Sequence, residues 1–116
     1  MTKERIEKIA EKLDWTVTWD ENHDGTKFVM FSKYSPAGQD FNCEVDYKTL
    51  DEIWKKVFDR YESFDASYEA YIWLDDSGHG ANGAPYEMID VYNDMKACEE
   101  MLYELYEALE LKKEVV

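Results

Sequence analysis

Positive charge is scarce in the second half of this 116-residue chain. Between Glu62 and Glu110 a single base, Lys96, stands against 13 acids, whereas residues 1–61 hold 10 bases and 13 acids. The net charge is −14, and the second half carries most of it. A field of that sign repels nucleic acid and anionic membranes and draws in basic partners. Direct DNA or RNA binding is therefore not expected. Long apolar runs are also missing. No stretch is long enough to span a bilayer, and the charged start "MTKERIEK" leads into no signal-peptide core, so a cytoplasmic location is expected. Cysteine is reduced to Cys43 and Cys98, both at positions that read as core, which suits reduced thiols better than a disulfide. Linkers, internal repeats and low-complexity segments are absent, so residues 1–116 read as one domain.

Aromatic residues, by contrast, are plentiful. Four Trp, nine Tyr and five Phe, within a hydrophobic share of 45%, exclude a disordered chain. Ile6, Ile9, Ala10 and Leu13 mark one face of a helix over residues 3–13, with Thr2 as its N-cap. "WTVTW" (15–19) alternates with a period of two and predicts a strand, followed by strands over 27–34 and 40–47. In the third of these Phe41, Cys43, Val45 and Tyr47 face inward, while Asp40, Asn42, Glu44 and Asp46 face solvent. Thr49 and Glu52 have capping-box spacing, opening a second helix that buries Leu50, Ile53, Trp54, Val57, Phe58 and Tyr61. "YEAYIWL" (68–74) reads as a fourth strand, and "DDSGHGANGAP" as a flexible connector. The last helix spans about 86–111, with Met88, Val91, Met95, Cys98, Leu102, Leu105 and Leu109 as its apolar seam. The order αβββαβα predicts an α+β fold, with helices packed on a mostly antiparallel four-stranded sheet.

Motifs with catalytic or ligand-binding chemistry are poorly matched. "DENHDG" has the first half of a calcium loop, but its twelfth position is Phe31 instead of a bidentate glutamate, and Asp24-Gly25 is itself a hairpin turn signal. "GHGANG" (78–83) fits a dinucleotide fingerprint, yet no later strand follows the helix to supply the ribose-binding acid, and Asp75 and Asp76 would repel a pyrophosphate. His23, His79, Cys43 and Cys98 lack the compact spacings of zinc sites, and no residue pattern favours a Cys–His catalytic pair. No enzyme activity, metal or cofactor is expected.

What remains is an acidic face. At 100° per residue, Asp90, Asp94, Glu100, Glu104 and Glu107 are expected opposite the apolar seam of the last helix, with Tyr92, Glu99, Tyr103, Tyr106 and Glu110 as a flanking stripe. Glu69, Asp75 and Asp76 are expected nearby. The helix is on the order of 36 Å long, about one turn of duplex DNA. Such a face either only keeps the protein soluble or binds a partner. Tyrosines favour the second, because they bury contact area at low entropic cost.

"FSKYSPAGQDF" (31–41), together with "EMLYELYEALE" (100–110), resembles small acidic proteins carried by phages and conjugative elements. The resemblance runs over most of the chain after the first helix and assigns no residue a role. It implies an anti-defence inhibitor that mimics DNA, as anti-CRISPR and antirestriction proteins do. The partner expected is a basic nucleic-acid-binding protein or defence nuclease. The contact residues expected are Asp75, Asp76, Asp90, Asp94, Glu99, Glu100, Tyr103, Glu104, Tyr106, Glu107 and Glu110. Two alternatives stay open: a structural or regulatory interaction module of a mobile element, monomeric or homodimeric, that buries Tyr71 and Trp73 or extends the seam of the last helix, and an immunity protein against a basic toxin.

Overall fold

The computed structural model describes residues 1–112, Lys112 by its backbone only. Among these residues the order is α1 (Lys3–Glu11), β1 (Thr16–Glu21), β2 (Lys27–Tyr34), β3 (Asp40–Tyr47), a 3-10 turn (Leu50–Glu52), α2 (Ile53–Ser63), α3 (Ala66–Tyr71) and α4 (Met88–Lys112). The class is α+β. The sheet has three antiparallel strands in the order β1-β2-β3, not the four expected from the sequence.

The correction falls on residues 68–74. Asp65 caps a helix there, its Oδ1 accepting from the N–H of Ser67 at 3.0 Å and of Tyr68 at 3.3 Å. Ala66 and Ala70, four apart, are buried, with Trp73 packed against the core three residues later. The strand propensity of Tyr, Ile and Trp yields to a side-chain cap and a small-residue face that fits against α4. The order is therefore αβββααα.

Elsewhere local chemistry and structure agree. Thr2 caps α1 by accepting from Arg5 N–H at 3.1 Å. That helix ends where Asp14 enters the left-handed region at φ 69°, with Trp15 N–H reaching the Ala10 carbonyl and Asp14 N–H the Glu11 carbonyl. The β1–β2 hairpin closes through Asn22 N–H to the Thr26 carbonyl at 2.8 Å, with Gly25 at φ 87°. Asp24 Oδ1 accepts from Thr26 N–H at 2.9 Å, so the acid of the calcium-like loop serves as a turn cap. The backbone N–H of Thr26 holds the Asp24 carboxyl below its ordinary value. Phe31 pairs with Val17 on one side and Cys43 on the other, and Val29 with Val45, which lines one sheet face with apolar side chains. Glu52 accepts from the N–H groups of Lys48 and, at 3.1 Å, Thr49, the acidic half of a capping box at the start of α2. Helices α1, α2 and α4 contribute Ile6, Val57, Leu102, Leu105 and Leu109 to the same core as Trp15, Val29 and Phe31.

Candidate functional site

Helix α4 is 25 residues long, and its sides differ in chemistry. Val91, Met95, Cys98, Leu102, Leu105 and Leu109 are buried, as the spacing predicts. Met88 is not. It is exposed at the helix start, where it lines a groove against α3.

The larger correction is Asp94, expected on the solvent face and found 6% exposed. Its Oδ2 accepts from Ser35 Oγ at 2.6 Å and its Oδ1 from Ala37 N–H at 2.9 Å. Ser35 Oγ in turn accepts from Gln39 N–H at 2.9 Å. Asp94 therefore fastens α4 to the β2–β3 turn, across 57 to 59 residues of chain. The reason is geometric. Asp94 lies three residues after Val91 and four before Cys98, on the flank of the buried seam, not opposite it.

The opposite side is open. Asp90, Glu100, Glu104 and Glu107 are exposed, and Lys96 is the single base between Glu62 and Glu110. Lys96 Nζ donates to Glu99 Oε1 at 2.8 Å, so half-buried Glu99 already has a cation. That hydrogen bond, and then the charge of Glu99, raises the Lys96 ammonium above its ordinary value. Glu110 is half-buried.

Between the two sides runs a ladder of aromatic rings. Trp54, Phe58 and Tyr61 recur at +4 and +3 along α2 and meet tyrosines of α4. Tyr106 is half-buried, 4.6 Å from Phe58 and 6.1 Å from Trp54. Tyr103 is 41% exposed and sits 5.2 Å from Tyr61 and 5.7 Å from Tyr106. The charge of Glu107, and then a hydrogen bond to it, lifts the Tyr103 hydroxyl above its ordinary value. Of the two tyrosines expected at an interface, Tyr103 is available, while Tyr106 largely serves the α2–α4 contact.

Tyr61, Glu99, Glu100, Tyr103 and Glu104 surround an open cleft of about 290 Å³. Tyr61, read from sequence as a buried core position, is half-exposed and forms one wall. Carboxylates from successive turns alongside two phenol rings suit an ammonium or guanidinium group. Charge-assisted hydrogen bonds would hold the cation, and a ring face adds about 0.5–1 kcal/mol at an exposed site.

Asp75 and Asp76 do not join this face. Asp75 Oδ1 accepts from Ser77 Oγ at 2.6 Å, Ser77 N–H at 2.9 Å and His79 N–H at 3.2 Å, closing the turn after α3. The Ser77 hydroxyl, and then the His79 N–H, holds its carboxyl below the ordinary value. The His79 ring stacks on Tyr86, just before α4, at 4.0 Å and 10°. A side chain at Gly80 would meet the Pro85 carbonyl oxygen at 1.8 Å. The loop expected as a flexible connector is thus a tightly folded turn at the N-terminal end of α4. Glu100 lies about 18 Å further along the helix axis from Met88. Glu69 is likewise occupied, by Arg60 at 3.2 Å.

Both cysteines are buried free thiols. Burial pushes Cys43 up to about 11 and, aided by the charges of Asp94 and Glu69, Cys98 up to about 12, so neither is a thiolate at neutral pH. Among the described residues no three or more His, Cys, Asp or Glu side chains gather as a metal site. No helix among them is long and apolar enough to cross a membrane. Compared with protein-family models, curated proteins and solved structures, the chain matches none.

Proposed function

We propose that this chain is a non-enzymatic inhibitor that occupies a basic, nucleic-acid-binding surface of another protein, such as a defence nuclease, in place of DNA. The observation that carries this reading is the Tyr61–Tyr103 cleft with Glu99, Glu100 and Glu104 around it. Tyr61 and Tyr103 belong to the α2–α4 ring ladder, yet Tyr103 keeps 41% of its surface open beside those carboxylates. A lysine or arginine that normally holds a phosphate finds here an equivalent charge and a ring to lie against. Glu107, on the same open side, extends the negative row, and Asp90 continues it toward the helix start. Long-range attraction by a chain of net charge −14 speeds encounter, and Tyr103 and Tyr61 supply the short-range contact.

The test is retention of proteins from a bacterial lysate at low and moderate salt by the wild type and by the triple variant Glu100→Lys, Glu104→Lys, Glu107→Lys, with identification by mass spectrometry. Basic nucleic-acid-binding proteins held by the wild type alone, and released by salt, are the expected result. An identical set on both baits would refute the acidic face as the binding surface.

A further inference from the structure

The groove between α3 and the start of α4 differs in chemistry from the acidic cleft. It is about 290 Å³ in volume and almost wholly apolar, with walls that include Ala70, Tyr71 and Leu74 on one side and Met88, Ile89 and Tyr92 on the other. Tyr71 is 71% exposed, Ile89 60% and Met88 58%. Single exposed apolar side chains are ordinary on a protein surface, but several lining one concavity mark a place where another apolar group is received.

The charge around the groove selects the kind of occupant. From Glu62 to Met95 the chain has eight acids and neither Lys nor Arg. Glu87 and Asp90, the neighbours in sequence of Met88 and Ile89, are both exposed acids. A second copy of this chain would bring the same acids against them. The helix also connects the groove to the acidic cleft. Tyr92, Lys96, Glu99 and Tyr103 follow one another at +4, +3 and +4 and so share one side of α4. Tyr92 lines the apolar groove, and Glu99 and Tyr103 line the cleft. The two recesses are therefore successive stations along one surface, about 16 Å apart from Tyr92 to Tyr103 at 1.5 Å per residue.

We infer that the α3–α4 groove docks an amphipathic basic segment of the partner, taking an apolar anchor side chain while Lys or Arg residues further along the segment meet the acidic cleft of Glu99, Glu100 and Glu104. This rests on the proposed reading that the partner is basic, and adds that charge alone does not bind it. The groove supplies the desolvated contact that distinguishes a fitted partner from any cation.

Three synthetic 14-residue peptides serve as probes in fluorescence anisotropy titrations of the full chain at low salt. One is an amphipathic Leu/Lys helix, the second has Ser for every Leu, and the third has Glu for every Lys. The decisive variant is Ile89→Glu, which fills the groove with charge yet makes the protein more acidic. Tyr71→Ser, on the opposite wall, is a second variant at an exposed position. The expected result is that the Leu/Lys peptide binds at least tenfold tighter than the Ser/Lys peptide, with no binding of the Leu/Glu peptide. Ile89→Glu and Tyr71→Ser each remove most of that advantage and leave Ser/Lys binding unchanged or, for Ile89→Glu, slightly tighter. Equal affinity of the Leu/Lys peptide for wild type and Ile89→Glu would overturn the groove while leaving the basic-partner reading intact. Failure of both lysine peptides to bind would overturn that reading, and the groove proposal with it. Sedimentation showing a wild-type dimer that Ile89→Glu dissociates would assign the groove to a second copy and overturn the proposal.

Discussion

Asp94 and Glu104 belong to the same helix, carry the same charge and lie ten residues apart, yet they do opposite things. Asp94 is buried and accepts two hydrogen bonds from the β2–β3 turn. Glu104 is exposed beside a cleft with Tyr61 and Tyr103. On the Asp94 side, negative charge is spent on the fold, with donors arranged around it. On the Glu104 side it faces solvent, beside other carboxylates that weaken an isolated helix by a few tenths of a kcal/mol per like-charged pair. An acid-rich helix is therefore not one acidic surface. Each carboxylate has to be assigned by what donates to it.

The comparison is broken most severely at Asp94. Asp94→Ala removes the acceptor for Ser35 Oγ and Ala37 N–H, leaving the buried Ser35 hydroxyl unpaired. A loss of about 2–4 kcal/mol in unfolding free energy is expected from urea titration, since hydrogen bonds to charged groups are worth about 1.5–3 kcal/mol each. Asp94→Asn should recover part of it. On the other side, Glu100→Lys, Glu104→Lys and Glu107→Lys together should alter stability by no more than about 1 kcal/mol, because exposed charges contribute little to folding. A large loss in that variant, or none in Asp94→Ala, would erase the distinction between the two sides.

Two smaller effects sharpen it by titration. The Glu107 carboxylate favours the neutral Tyr103 hydroxyl, so Glu107→Gln should lower the pH at which Tyr103 ionises, read by NMR of ring-labelled tyrosine. The Glu52 carboxyl is held below its ordinary value first by the Lys48 N–H and then by that of Thr49. A depressed carboxyl contributes stability that is present above its unfolded value of about 4.5 and is lost as pH falls through its folded value. Glu52→Gln should accordingly flatten the acid side of the stability profile below about pH 4.5, measured by thermal denaturation across pH, while the triple reversal variant keeps its Glu52-dependent slope.

Strands β2 and β3 were legible to the residue, β3 because a period of two with acids outward and Phe41, Cys43, Val45 and Tyr47 inward admits one reading. The seam of α4 from Val91 to Leu109 was legible in the same way at a period near 3.6, whereas Met88, expected in it, is exposed. Other features were not. Residues 66–71 carry a helix signal in Asp65 as a cap and Ala66 and Ala70 four apart, but the strand propensity of Tyr68, Tyr71, Ile72 and Trp73 masks it. Asp94 is expected opposite the seam at 100° per residue, but its place three residues after Val91 and four before Cys98 puts it on the flank of the seam. That its donors come from Ser35 and Ala37, nearly 60 residues earlier, is tertiary information with no local trace. The candidate site was half legible. Glu100, Glu104, Glu107 and Tyr103 are open as expected, whereas Tyr61 joins them only because α2 lies along α4.

The role proposed for the open side of α4 is to stand in for DNA on a basic protein surface. It is tested most directly by competition on a DNA-binding protein retained by the wild type. Labelled duplex DNA bound to that protein is titrated with this chain and followed by fluorescence anisotropy. The expected outcome is full release of the duplex by the wild type at near-stoichiometric amounts, weakened by salt, and no release by the Glu100→Lys, Glu104→Lys, Glu107→Lys variant. A ternary complex in which duplex and wild-type chain are bound together, or equal release by the variant, would contradict it.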